Sequence, residues 1–321
     1  MDKYLITGFS GFVSRHFLEF LERNEIHCIV QGIDIHTPEI RQDQFKCVKI
    51  YFKKIDLLTV NNLDNIIFQF QPDYILHLAS YSSVAFSWKE PAISFANNTN
   101  IFLNLLDTVR ILGLSTRILS VGSSEQYGDA KAEDMPLKEN HPLRPISPYA
   151  VARVAQEMLS KIYADGYGLD IIMTRSFNHI GPYQKDIFVV SSFVRQLVEI
   201  KKRCLKGQNI IVGDLSIVRD FTDVRDIVSA YYNLLKNGEK GEVYNVCSGN
   251  GLALEEIVQK LCNILNVDVN INSNPQLIRP SDNKIIIGSN DKIKKLTGWN
   301  IQYSLEQSLK DIISYWQSNI S

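Results

Sequence analysis

KYLITGFSGFVSRHFLEFLER, residues 3–23, changes its hydrophobic period partway along. KYLITG reads as a short apolar strand ending at glycine, and SRHFLEFLER as a helix with apolar residues three and four apart. Between them TGFSGFVS, Thr7–Ser14, puts Gly8 and Gly11 into the strand-to-helix turn. Glycines at that spacing permit a tight turn whose amides approach a pyrophosphate at a helix N-terminus. Ser14 stands where a third glycine is usual, and is small enough for close helix–strand packing. An ordinary glycine turn is the competing reading. The order of strand, glycines and helix favours the anion-binding one.

Working outward, the first half keeps alternating. HCIVQGID, KCVKIYFKKID, DYILHLAS, RILSVGSS and DIIMTRS read as strands; NLDNIIFQFQ, NNTNIFLNLLDTVRILG and YAVARVAQEMLSKIYADGYG read as helices. Such alternation predicts a Rossmann-type doubly wound parallel sheet. EVYNVCSG reads as one further strand. After about Phe177 the pattern loosens into loops and shorter helices, with Pro182, Pro275 and Pro280, which predicts a smaller C-terminal substrate-binding lobe. The expected division is a nucleotide-binding domain of residues 1–174 plus 212–248 and a lobe of residues 175–211 plus 249–321.

The chain has 321 residues, 45% hydrophobic and 21% charged, an ordinary globular composition with length for a large core. Its net charge of −1 gives no general attraction to nucleic acid or to an acidic membrane. The cysteines, Cys28, Cys47, Cys204, Cys247 and Cys262, form no CxxC pair, so neither a disulfide framework nor a metal site is expected. No uncharged apolar run is long enough to span a bilayer and the start carries no signal-peptide pattern, so a cytoplasmic location is expected.

Two further features carry chemistry. Asp34 closes the second strand about 20 residues beyond the glycine turn, where an acid can accept from a ribose 2′-hydroxyl and repel a 2′-phosphate; NAD is therefore expected over NADP. Asp56, after the third strand, is a weaker candidate for the adenine, because strand-end aspartates also cap backbone. SPYAVARVAQEM, Ser147–Met158, places Tyr149 and Arg153 four residues apart on one helical face. A nearby cation favours the phenolate and makes a tyrosine a usable proton donor and acceptor. Taken alone, an exposed tyrosine beside a solvated arginine is the simpler reading.

The pair has company. SVGSSEQYG (120–128), HLAS (77–80), RSFNHIGP (175–182), VRDFTDVRDIV (218–228), YNVCSG (244–249) and RPSDN (279–283), with the N-terminal TGxxGF, resemble the extended short-chain dehydrogenase/reductase family of nucleotide-sugar enzymes over essentially the whole chain. The likeness is greatest to the subgroup acting on GDP-sugars. It implies Tyr149 as acid/base at carbon 4 of the sugar, with Ser123 bonding the same oxygen and Ser124 and Glu125 in the same loop. Arg153 occupies the position of the family's lysine, which grips the nicotinamide ribose; arginine keeps the charge but carries it on a longer planar fork. The implied NAD site takes in Gly8, Phe9, Ser10, Gly11, Phe12, Asp34, Asp56, Leu57, Leu78, Ala79, Ser80, Asn98, Tyr149, Arg153 and His179. The implied GDP-sugar site takes in Ser82, Ser83, Asn178, Val190, Arg195, Arg219, Arg279 and Asp282, with Asn178, Arg219 and Arg279 at the diphosphate, Asp282 at the nucleotide ribose and the helix of Val190 and Arg195 over the base. A homodimer through the helices around 98–112 and 149–165 is also implied.

Glu125 fits the base of a 4,6-dehydratase, which oxidises carbon 4, eliminates water across carbons 5 and 6 and returns the hydride. The expected NAD preference tilts the same way, so a GDP-sugar 4,6-dehydratase is the leading expectation. FNHIGP and RPSDN tilt toward a GDP-4-keto-6-deoxy-sugar 4-reductase. A 4-epimerase is third, and a non-enzymatic sensor on the same fold is the alternative of another class.

Overall fold

The computed structural model describes residues 1–203 and 208–320; Cys204 lies outside them. Through the first half the order is β1 (Asp2–Thr7), α1 (Phe12–Arg23), β2 (Cys28–Asp34), β3 (Val48–Lys54), α2 (Val60–Phe70), β4 (Tyr74–His77), α3 (Val84–Lys89), α4 (Pro91–Ile111), β5 (Arg117–Ser123), α5 (Pro148–Gly166) and β6 (Asp170–Ser176). There follow β7 (Asn178–Ile180), α6 (Val189–Lys202), β8 (Gln208–Val212), β9 (Val218–Asp223), α7 (Val224–Asn237), β10 (Val243–Val246), β11 (Gly251–Ala253), α8 (Leu254–Leu265), β12 (Val269–Ser273), β13 (Ile285–Ile286), α9 (Asp291–Thr297) and α10 (Leu305–Asn319).

Seven strands form one parallel sheet in the order β10-β6-β5-β4-β1-β2-β3. Apolar side chains cover both faces, as a parallel sheet requires. Phe17, Leu18 and Leu21 of α1 pack with Ile227, Tyr231 and Leu234 of α7 on one face; Leu63, Phe102, Leu105 and Tyr163 of α2, α4 and α5 cover the other. The strand order reverses between β1 and β4, and ligands of such sheets bind in the crevice that opens there. The expected Rossmann-type α/β architecture is present.

The second half holds more helix than the sequence reading expected. Helices α7, α8 and α10 are 14, 12 and 15 residues long. A third apolar cluster joins Val194 and Leu197 of α6, Ile257 and Leu261 of α8 and Leu309 and Ile312 of α10. The second half runs strands such as β7, β11 and β13 of only two or three residues between its helices, so no regular alternation marks it.

Helix α5 is tied to β6 and to the loop after β5 by buried charge. Arg175 on β6 donates two hydrogen bonds to Glu157 on α5, Nε to Oε2 at 2.9 Å and Nη2 to Oε1 at 2.8 Å, with both side chains 3% exposed. Gln126 donates to Glu157 Oε2 at 2.6 Å and accepts from the Ser123 amide at 2.8 Å. Burial by itself would raise the Glu157 carboxyl, but the bonds and charge of Arg175 outweigh it and hold it below the usual carboxylate range. Glu157→Gln leaves the Arg175 cation without its counter-ion and should cost about 3 kcal/mol in urea unfolding at neutral pH. A depressed carboxyl stabilises the fold above the ordinary carboxylate range and loses that contribution as pH falls through its folded value. The gap between wild type and variant should therefore be full at pH 7 and close in acid.

Candidate active site

The glycine turn is shaped for close approach. Gly8 has φ +70°, and a Cβ there would lie 2.7 Å from the Ala79 amide nitrogen. Gly11 donates to the Gly8 carbonyl at 3.0 Å and forms the N-cap of α1, with no side-chain cap and no acid in the first turn. The helix thus presents its first amides and positive end unmasked, which suits a pyrophosphate. Ser14 is fully buried under the turn, in line with its expected packing role. Asp34 lies at the carboxyl end of β2, accepting from the Ser10 amide at 2.9 Å and the His36 amide at 2.8 Å. Each carboxylate oxygen keeps acceptor capacity for a ribose hydroxyl. These residues fit a dinucleotide.

Other members of the expected cofactor set divide by what their side chains already do. Phe9 is fully buried, stacked near Phe52 at 6.1 Å and filling the space that Gly32 leaves open. Its side chain is core, and only its backbone belongs to the turn. Ser10 Oγ donates to the His36 carbonyl at 2.5 Å. Phe12 stacks on His179 at 5.6 Å, and His179 Nδ1 lies 3.2 Å from the Phe177 carbonyl; burial pushes this imidazole down, which keeps it neutral. Asp56 caps backbone, taking the Leu58 amide at 2.9 Å, while Leu57 is buried and its carbonyl accepts from Asn104 at 2.8 Å. The Ala79 amide donates to Thr7 Oγ1 at 3.3 Å, and Leu78 packs at the edge of the core under α1. Asn98 clasps the Tyr81 backbone, its Oδ1 accepting from the amide at 2.7 Å and its Nδ2 donating to the carbonyl at 3.1 Å. It therefore shapes the loop that carries exposed Ser82 and leads to Ser83, whose Oγ caps α3 through the Phe86 amide at 3.2 Å.

Tyr149 and Arg153 are 6% and 5% exposed, not the solvated pair that the motif alone would allow. Arg153 Nε donates to the Tyr149 hydroxyl at 3.1 Å. Arg153 Nη1 donates to the Val121 carbonyl at 3.1 Å and to Gln156 Oε1 at 2.5 Å, and Nη2 donates to Ser80 Oγ. One cation thus joins α5, the end of β5 and the HLAS loop. Ser123 ends β5 and caps the next turn, its Oγ accepting from the Glu125 amide at 3.2 Å, with Ser124 buried behind it. Sequence reasoning missed His77, which sits fully inside on β4. Its Nδ1 lies 2.9 Å from Thr7 Oγ1, and burial together with the Arg153 charge pushes it down to about 3, so it is neutral.

Glu125, Arg279, Asp282 and Arg219 form a chain of alternating charge. Arg279 Nη1 lies 3.9 Å from Glu125 Oε1 and 3.3 Å from Asp282 Oδ2. Asp282 Oδ1 accepts from Arg219 Nη2 at 2.5 Å. Arg219 is 5% exposed and also donates through Nη1 to the carbonyls of Val218 and Asn283, at 2.9 and 2.8 Å. Arg279, a third exposed, is the freer of the two cations. Asp282 is held between them in this state. Three other expected substrate residues lie along β7 and α6. Asn178 pairs with Phe221 in register and is half-buried; Val190 is 1% exposed in the third apolar cluster; Arg195 is bound to Asp186 and Glu199 at 2.9 and 2.7 Å. The Val190 side chain offers no surface to a ligand. Among the described residues no cluster of His, Cys, Asp or Glu is placed to hold a metal ion, and no helix is long and apolar enough to cross a membrane.

Residues 5–312 match the family model described as GDP-mannose 4,6 dehydratase. The chain is 33% identical to the GDP-6-deoxy-D-mannose reductase of Pseudomonas aeruginosa, covering 99% of this chain and 98% of the relative. The solved structure of RMD from Pseudomonas aeruginosa complexed with NADPH covers 99% of this chain and is itself fully covered, at 32% identity and a TM-score of 0.85. The UDP-glucose 4-epimerase of Thermus thermophilus complexed with NAD covers the same share of this chain and is also fully covered, at 25% identity and a TM-score of 0.85. With its glycine turn, its Tyr149–Arg153 pair and this match along nearly its whole length, the chain belongs to the GDP-mannose 4,6-dehydratase family of extended short-chain dehydrogenases/reductases, enzymes that act on nucleotide sugars.

Proposed function

We propose that this enzyme is a 4-reductase of a GDP-4-keto-6-deoxy-hexose, using a nicotinamide dinucleotide seated over the Gly8–Phe12 turn. The observation that carries the reductive reading is the 33% identity with a reductase over almost the full length of both chains. Glu125, the residue a dehydration would use as base, lies 3.9 Å from the guanidinium of Arg279. Asp34 favours NAD over NADP through its charge, although one similar protein of known structure holds NADPH.

When bound, the reduced nicotinamide supplies the hydride for carbon 4. The Tyr149 hydroxyl gives its proton to the oxygen on that carbon as negative charge develops there. Ser123 donates a hydrogen bond to the same oxygen. Arg153, already bonded to the Tyr149 hydroxyl, stabilises the phenolate left behind. Arg279 turns toward the substrate diphosphate, for which its planar fork is suited. Ser82 and Ser83 border the sugar. Exposed Phe95, Ile111, Val151, Met158 and Ile162 on α4 and α5 support a homodimer through these helices.

A 4,6-dehydratase is the second reading, favoured by the presence of Glu125 in the loop after β5 and by the description of the matching family model. The non-enzymatic alternative is opposed by the retention of Tyr149, Ser123 and a cation at position 153.

Mass spectrometry separates the two catalytic readings. A 4-keto-6-deoxy GDP-sugar incubated with NADH should gain two hydrogens, and GDP-mannose incubated without added cofactor should not change. Loss of one water from GDP-mannose would establish the dehydratase instead. Tyr149→Phe should lower kcat by about 10²- to 10⁴-fold while NADH still binds. Arg279→Ala should raise the KM for the nucleotide sugar by about 10- to 100-fold and leave NADH affinity unchanged in fluorescence titration.

A further inference from the structure

The buried face of α5 does not end at Arg153. Gln156, one turn on and 1% exposed, accepts from Arg153 Nη1 at 2.5 Å through Oε1. Its Nε2 donates to Ser120 Oγ at 2.9 Å and to the Val121 carbonyl at 3.2 Å. Ser160 Oγ closes the cluster with a bond to Ser120 Oγ at 3.1 Å and one to the Gln156 carbonyl at 2.9 Å. Gln156 is thus wedged between β5 and the Arg153 head.

A guanidinium has five N–H donors in a fixed plane. Tyr149, Val121, Gln156 and Ser80 take four of those of Arg153. The plane is therefore set by where its acceptors lie, which is not so for the point charge of a lysine. Without the Gln156 oxygen, one Nη1 donor would be unmet in a dry site. That costs enough to make the head turn toward another acceptor. Any such turn moves Nε off the Tyr149 hydroxyl.

We propose that Gln156 is a positioning residue that acts through Arg153: it fixes the guanidinium so that Nε addresses Tyr149 and the remaining Nη2 donor is left for a cofactor hydroxyl. Arg153 and Gln156 together then do what a lysine would do alone. The proposal rests on Tyr149 being the acid/base. His77, the nearby titratable side chain on β4, is neutral and adds no competing cation.

The test is a double-mutant cycle with two readouts: turnover of the 4-keto sugar, and NADH affinity by fluorescence titration. Gln156→Met keeps length and packing but removes the acceptor. It should lower kcat about 10-fold or more and weaken NADH several-fold. In an Arg153→Met background the same change should alter NADH affinity less than about two-fold, because the residue it acts through is gone. An equal loss in both backgrounds would overturn the proposal. So would wild-type kcat and NADH affinity in Gln156→Met, even with a lowered melting temperature, since Gln156 would then serve the fold alone. Tyr149→Phe is assayed in parallel. Retained turnover there would remove the acid–base reading, whereas the coupling of Gln156 to Arg153 is read separately in NADH affinity.

Discussion

The ion pair between Arg175 and Glu157 is the constraint on which the site depends. It lies under α5, and Glu157 sits two turns beyond Tyr149 on the same helix. A buried pair of this kind contributes little net stability against an apolar alternative, yet breaking it is costly. Its effect here is to fix a register. Glu157 holds Gln126, Gln126 holds the Ser123 amide, and Arg175 also reaches the Glu139 carbonyl at 2.9 Å. The helix with the tyrosine, the loop with the serine and the neighbouring strand are therefore joined by one buried hydrogen-bonded cluster. Tyr149 and Ser123 come from separate elements, and this cluster ties those elements together.

A second polar cluster surrounds Arg153 and reaches Tyr149. It uses main-chain and neutral acceptors in place of a carboxylate. A carboxylate beside the guanidinium would cancel its field at Tyr149. The cation stays unneutralised because hydrogen bonds satisfy its donors without opposing its charge. The neutral state of His77 follows from the same field, with burial as the larger cause.

Much of the fold was legible because a parallel sheet imposes a repeating pattern, and the first half of the chain carries it plainly. Tyr149 and Arg153 were legible because the helical period alone sets them on one face. Gln156 was not, although it lies only three residues further on. Its meaning comes from Ser120 and Val121 on a strand whose distance from the helix no local pattern encodes. Asp282 illustrates the same limit: its two arginines come from β9 and from the segment before β13. Phe9 shows the reverse case. It lies within a cofactor motif, but its ring is needed to fill the space beside Gly32, so the motif and the core share one residue.

The carboxylate of Asp34 links two properties that are usually treated as separable. One oxygen holds the Ser10 amide inside the glycine turn, and the other holds the His36 amide beyond β2. A lineage that exchanged Asp34 for a residue tolerant of an extra phosphate would also untie the turn that receives the rest of the dinucleotide. A substitution at Asp34 therefore acts on loop shape as well as on the charge at the end of β2. A residue that replaced Asp34 would therefore have to supply acceptors to both amides, or leave the turn and the segment after β2 less firmly joined.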